Sequence, residues 1–288
     1  VAQILDGKET ARAIREDLKA RCAELKTGGI TPGLAVVLVG NDPASAIYVG
    51  QKEKACSEVG FNSYRHELPA SATEKELFVL IERLNGDPKV HGILVQLPLP
   101  KGLSADRVIG RIAPGKDVDG FHPLNAGSLA CGLPGVVPCT PKGVMRILER
   151  YAIPLAGRKA VVVGRSNIVG KPMAQLLLAA NMTVTVCHSR TPDLAKETLQ
   201  ADVLVVAAGK PGIIDASMVR EGAVVVDVGI HRTPVGLVGD VKFEEVAEKA
   251  SWITPVPGGA GPLTIAMLME NTLELAAQTA DRKTMEKQ

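Results

Sequence analysis

A tyrosine and a lysine four positions apart, Tyr48 and Lys52, stand in the segment NDPASAIYVGQKEKACSEVG, where an Asn-Asp-Pro start and helical periodicity predict a helix ending near Gly60. That spacing puts both on one helix face, so an aromatic ring can stack on a flat substrate while an ammonium group reaches its reacting carbon. The pattern alone equally describes a surface lysine beside Lys54, because lysines are mostly exposed. Two neighbours shift the reading towards chemistry. Gln96 in VQLPLP closes a buried apolar run, at the edge where open α/β sheets build their sites, and an amide there needs a partner. Asp117 and Asp119 in DVDGFHP stand in a Gly- and Pro-rich stretch. Carboxylates there suit the paired N–H groups of an aminopyrimidine-like ring, although acids in loops are commonly solvated turn formers.

A second set of residues suits a nucleotide. In VVVGRSNIVGKPMAQLLL a valine-rich run ends at Gly164 and a helix is predicted from near Val169. GRSNIVG therefore stands where a dinucleotide-binding turn belongs, with Ser166 in the middle glycine position and Gly170 six residues after Gly164. It departs from G-x-G-x-x-G and also fits a plain strand-to-helix turn. Backbone N–H groups at the helix start would face a pyrophosphate, and the Ser166 hydroxyl adds a donor. The next strand ends in CHSRT, with no acid to bind a ribose 2′-hydroxyl. His188, Ser189 and Arg190, with Arg165 on the neighbouring turn, offer donors and positive charge suited to a 2′-phosphate, which favours NADP over NAD. Arg190 can also be a solvated loop charge. In DVGIHR, Gly229 and Ile230 close another strand and are placed to bring backbone and an apolar side chain beside a nicotinamide. ITPVPGGAGPLT (253–264) combines rigid prolines with permissive glycines, either to hold backbone donors near a ligand or as a connector.

These residues need elements to hold them. Valine-rich runs at 33–40, 90–97, 159–164, 182–188, 202–209 and 223–229 alternate with helix-period segments. Continuous apolar runs, as opposed to strict alternation, fit parallel strands buried on both faces, so the fold class is α/β. A seam at about 113–141 lacks period and is rich in Gly and Pro. After it, TPKGVMRILERY opens with a Thr and a Pro where a cap and first turn belong. The last stretch, GPLTIAMLMENTLELAAQTA, reads as a helix able to pack back onto the first domain.

Composition narrows the function. With 46% hydrophobic and 22% charged residues over 288 positions, the chain can build full cores in two domains. Lys plus Arg number 33 against 31 acidic residues, and no basic run interleaves with aromatics, so a small molecule is the expected partner and a nucleic acid is not. Five scattered cysteines form no C-x-x-C pair, and His66, His91, His122, His188 and His231 form no H-x-x-x-H, so no metal site is expected and a reducing compartment is. No uninterrupted apolar stretch reaches the ~18 residues of a membrane span, so the expectation is a cytoplasmic chain without membrane attachment.

YVGQKEKA, GILVQLPLP, KDVDGFHP, PCTPKG, GRSNIVGKP, DVGI and PVPGGAGPLT follow one another along essentially the whole chain. Together they resemble the methylenetetrahydrofolate dehydrogenase/methenyltetrahydrofolate cyclohydrolase family. The resemblance implies NADP-dependent oxidation of 5,10-methylenetetrahydrofolate and hydrolysis of the methenyl product to 10-formyltetrahydrofolate, in a homodimer acting on tetrahydrofolate derivatives. It implies a folate-binding catalytic domain at 1–140, completed by a helix at 263–288, and a Rossmann-type NADP domain at 141–262. Within them it implies Lys52 as the central catalytic residue, Tyr48 stacked on the folate, Gln96 tuning Lys52 and Asp119 bonded to the pterin. Pro257, Gly258 and Gly261 would line the folate site, and Gly164, Arg165, Ser166, Ser189, Ile230 and Thr264 the cofactor site. A lysine that moves protons near neutral pH would need desolvation or a neighbouring cation. A short-chain alcohol dehydrogenase also uses Y-x-x-x-K, but after its dinucleotide turn, whereas Tyr48 precedes Gly164 by more than a hundred residues. A non-catalytic NADPH sensor would bind cofactor and turn over no folate.

Overall fold

The computed structural model describes residues 1–234 and 236–285. Its strands are β1 (Gln3–Ile4), β2 (Gly33–Val39), β3 (Asn62–Leu68), β4 (Gly92–Val95), β5 (Lys159–Val163), β6 (Thr183–Cys187), β7 (Val203–Val206), β8 (Val224–Asp227), β9 (His231–Thr233), β10 (Gly236–Val238) and β11 (Trp252–Ile253). All six valine-rich runs are strands. Helices separate most of them, as the alternation predicts.

Contacts divide the chain into two compact units. The first holds Val1–Arg12, Leu129–Gly132 and Pro138–Thr264, and the second holds Ala13–Ser128, Leu133–Val137 and the residues from Ile265 on. The expected boundaries differ from this at the N-terminus. Residues 1–12 group with the 138–264 stretch because β1 pairs in parallel with β11, Gln3 opposite Trp252 and Ile4 opposite Ile253.

In the first unit six strands lie in the order β1-β11-β8-β7-β5-β6, paired in parallel throughout. From β5 the chain moves to β6 on one side, then returns across β5 to β7 on the other. That reversal between β5 and β7 is a topological switch point, the place where loops at the carboxyl ends diverge and leave room for a ligand. Val161, Val163, Leu204, Val206, Val225 and Ile253 are buried in one core cluster, which is why these strands read as unbroken apolar runs.

The second unit has a parallel sheet in the order β3-β2-β4, with all seven residues of the central β2 buried. Helix Glu74–Gly86 packs Leu77, Leu80, Ile81 and Leu84 against Val37, Val39, Ile93 and Val95. It starts at a reciprocal cap, in which the Thr73 hydroxyl accepts from Glu76 N–H and the Glu76 carboxylate accepts from Thr73 N–H. The Gly- and Pro-rich seam is more ordered than its composition implies. It contains helix Pro123–Cys131, and the next helix begins at Cys139 with no side-chain cap.

Candidate functional site

In the second unit, helix Pro43–Val59 carries Tyr48 and Lys52. Its start is set by Asp42, whose carboxylate accepts from Ser45 N–H at 2.7 Å, and its end by Gly60 at φ 84°. Lys52 Nζ donates to Gln96 Oε1 at 2.8 Å. Gln96 is held through both its backbone and its side chain. Gln96 N–H extends the β2–β4 ladder to Val37 O at 2.9 Å, and Gln96 Nε2 donates to Leu97 O at 2.7 Å. The partner expected for a polar amide at the end of β4 is therefore the lysine. Tyr48, one turn before Lys52, is 43% exposed, which leaves its ring face free to cover a ligand.

The two acids of DVDG separate in the fold. Asp117 is buried, and its Oδ2 accepts from His122 N–H at 2.8 Å and from Asn125 Nδ2 at 2.9 Å. Both bonds fall on one carboxylate oxygen and fold the loop, so Asp117 has a structural role. Asp119 is half-buried and accepts no hydrogen bond from the described residues. Burial pushes its carboxyl up to about 6, with the Lys52 ammonium pulling down and the Asp117 carboxylate pushing up. Between the two acids, Val118 O accepts from Asn271 Nδ2 at 2.9 Å, and the same amide group reaches Val137 O at 3.0 Å. Asn125 and Asn271 brace the Asp119 loop. Neither carries a sequence signal, because an asparagine in a helix announces nothing about the carbonyl it will meet.

In the first unit the nucleotide-binding candidates gather at the carboxyl ends of β5, β6 and β8. Gly164 ends β5 at φ 127°, and an added Cβ would overlap the Ala207 carbonyl oxygen after β7. An added Cβ at Gly170 would overlap the Gly164 carbonyl oxygen, so both glycines are required for close approach. Ser166 Oγ accepts from Val169 N–H at 3.1 Å and Gly170 N–H at 3.3 Å, just ahead of helix Gly170–Ala179. The hydroxyl proton remains free to donate outwards. The N–H groups of Arg165, Ser166, Asn167 and Ile168 meet no acceptor among the described residues, and all four residues are exposed. Four unengaged donors beside a helix start are the kind of groups that hold an anion.

After β6, Ser189 and Arg190 are exposed, and neither Arg165 nor Arg190 forms an ion pair with the described residues. His188 also has a role within its own turn. Its Nδ1 accepts from Arg190 N–H at 3.1 Å and its N–H donates to Thr191 Oγ1 at 2.9 Å, so it shapes the turn. Ile230 is 43% exposed after β8, and an added Cβ at Gly261 would lie 3.2 Å from Ile230 Cδ1. Pro257 is exposed, Gly258 is buried, and Thr264 pairs its hydroxyl with that of Thr140 at 2.9 Å.

Family models match both stretches, residues 5–119 as the tetrahydrofolate dehydrogenase/cyclohydrolase catalytic domain and 138–280 as the NAD(P)-binding domain. The bifunctional protein FolD of Moorella thermoacetica is 59% identical over 96% of this chain and 99% of its own length. The crystal structure of the bifunctional FolD methylenetetrahydrofolate dehydrogenase/cyclohydrolase of Campylobacter jejuni superposes with a TM-score of 0.95 at 53% identity, covering 97% of this chain and all of that one. The Trypanosoma brucei dehydrogenase-cyclohydrolase, solved with NADP cofactor and inhibitor, is 38% identical with a TM-score of 0.92, covering 96% of this chain and 98% of that one.

Proposed function

The chain belongs to the tetrahydrofolate dehydrogenase/cyclohydrolase family, and on that premise we propose that it oxidises 5,10-methylenetetrahydrofolate with NADP and hydrolyses the methenyl product to 10-formyltetrahydrofolate. The observation that carries this reading is the Lys52–Gln96 hydrogen bond at the end of β4, with the unspent carboxylate of Asp119 acting on the same ammonium.

Gln96 is neutral, so it orients the amine without tying it to a fixed negative charge. Lys52 then moves the protons that accompany water addition to the methenyl carbon and ring opening. The cationic methenyl substrate beside it favours the uncharged amine. Tyr48 stacks on the folate ring system. Asp119 in its ionised form accepts from the aminopyrimidine N–H pair, and Pro257, Gly258 and Gly261 line the folate. Bound NADP supplies the hydride acceptor. The turn Gly164, Arg165 and Ser166 takes the pyrophosphate, Ser189 and Arg190 take the 2′-phosphate, and Ile230 and Thr264 border the nicotinamide. What the protein adds to hydride transfer is alignment of two carbons and exclusion of water.

No helix among the described residues is long and apolar enough to cross a membrane. The reading includes a cytoplasmic chain, supported by cysteines left as free thiols, and no nucleic-acid partner, supported by near-balanced charge, with the homodimer carried by the family resemblance alone. The test is an absorbance assay with 5,10-methylenetetrahydrofolate, run with NADP+ and NAD+ in parallel and quenched in acid so that formyl product recloses to methenyl. NADP-dependent turnover with extra methenyl signal after acid is expected. No turnover by folded protein that binds NADPH would overturn the folate assignment.

A further inference from the structure

Two carboxylates lie side by side beneath the loops of the candidate nucleotide site, Asp227 with 3% of its surface exposed and Asp240 with none. Burying ionisable groups is costly unless every oxygen is engaged, and here each one is. Asp240 Oδ2 accepts from Ala208 N–H at 2.6 Å and Gly209 N–H at 2.9 Å, in the loop after β7. Its Oδ1 takes a hydrogen bond from His231 Nε2 at 2.7 Å, at the start of β9. Asp227 Oδ1 accepts from Gly229 N–H at 2.9 Å and from Asp240 N–H at 3.0 Å, and Oδ2 from Val241 N–H at 2.9 Å. The backbone closes tightly around them. An added Cβ at Gly229 would overlap the Asp240 carboxylate, and one at Gly239 would overlap Asp227 Oδ2.

Apolar side chains would fill this volume at less cost in desolvation. What carboxylates do in addition is fix backbone N–H groups in direction and distance. The groups they fix belong to the loops that follow β7, β8 and β10. Those loops in turn meet the rest of the site, because Gly164 packs against Ala207 O, an added Cβ at Gly261 would lie 3.2 Å from Ile230 Cδ1, and Asp227 N–H donates at 2.7 Å to the Thr254 hydroxyl, one residue before the 255–259 loop.

We propose that Asp240 and His231 are positioning residues for nucleotide binding, joining the loops after β7, β8 and β10 into one frame that sets where the 207–209 backbone and Gly229–Ile230 stand. This rests on reading the site as a nucleotide site. Neither side chain has to touch the nucleotide. His231 holds one oxygen of Asp240, which leaves the other to the two loop N–H groups.

The experiment uses the full chain with Asp240→Asn, His231→Ala and His231→Gln. It measures NADP+ dissociation by calorimetric titration, dehydrogenase KM and kcat, nucleotide-free hydrolysis of methenyltetrahydrofolate, and the thermal midpoint. Losing a charge-assisted acceptor should raise the Kd and KM for NADP+ about tenfold or more in Asp240→Asn, with cyclohydrolase kcat within about twofold of wild type. His231→Ala should follow the same split more weakly. His231→Gln, whose amide can still donate to Asp240, should restore most of the affinity. Unchanged NADP+ affinity in folded variants would overturn the proposal, and so would a parallel fall of both activities with the thermal midpoint. Should Asp240→Asn fail to fold, the His231 pair decides. A wild-type protein that binds NADP+ but turns over no folate would instead sink the proposed reaction and leave the frame testable by titration.

Discussion

Asp119 and Asp227 are both pushed up to about 6 by burial, yet they sit in opposite kinds of surroundings. Asp227 is wrapped by the N–H groups of Gly229, Asp240 and Val241, all within its own unit. Asp119 has the Lys52 ammonium acting on it and accepts no hydrogen bond from the described residues. A raised carboxyl alone therefore does not separate structure from function. Unspent acceptor capacity does, because a half-buried carboxylate that the fold has not satisfied can still take a donor from outside. Asp117, two residues away, makes the same point within one loop, because its Oδ2 already takes hydrogen bonds from His122 and Asn125.

The sharpest way to test that contrast is to remove the cation on the unspent side. Lys52→Met should cut cyclohydrolase turnover by about 10²- to 10⁴-fold while measurable hydride transfer survives, read in separate assays of the two steps. Equal, slight losses in both would show that Lys52 is not the proton carrier. Next in size, Asp119→Asn should raise the KM for folate on the order of tenfold to a hundredfold, as expected for losing a charged acceptor. In the wild type the accepting form is the ionised one, so kcat/KM should fall as pH drops through about 6. The asparagine variant should lack that limb, and a limb that persists unchanged would assign it to another group.

Asp227→Ala tests the spent side. It leaves buried N–H groups without an acceptor and should cost about 3 kcal/mol, lowering the thermal midpoint on the order of 6–12 °C. An unchanged midpoint would mean that the loops after β8 and β10 do not depend on the carboxylate. The smallest effect expected has the opposite sign. Burial pushes the Asp119 carboxyl up to about 6 from the ordinary aspartate value of 3.8, so the folded state holds the extra proton between those values and stability falls as pH rises across that window. At neutral pH the charge is a net burden, and Asp119→Asn should raise the midpoint slightly. A fall would show that Asp119 is structurally engaged after all.

Much of the fold was legible because apolar runs report burial on both faces directly. Strands β2, β4, β5, β6, β7 and β8 all lie within the valine-rich runs. Strand β3, NSYRHEL, escaped because it is an edge: its exposed positions carry charge, with Arg65 bonded to Glu67 and Glu53, and no unbroken apolar run marks it. Helix Pro123–Cys131 escaped because PLNAGSLAC has no apolar stripe and owes its place to Asn125, whose amide meets Pro114 O and Asp117. Strands β1 and β11 are two residues each, too short for any periodicity.

The candidate site divides along the same line. Residue type and spacing alone placed Tyr48 and Lys52 on one helix face, Gln96 at a strand end, and Gly164, Ser166 and Gly170 in a strand-to-helix turn, since each depends on local geometry. The sequence could not separate Asp117 from Asp119, could not tell that His188 would be an acceptor within its own turn, and gave no hint of Asn271, Asp240 or His231. Those roles are decided by which backbone groups arrive beside a side chain from distant parts of the chain. Local pattern determines what an element is and which face it buries. Only tertiary structure determines which polar groups are satisfied from within and which stay free for a ligand, because hydrogen-bond satisfaction is a property of meeting partners and not of either partner alone.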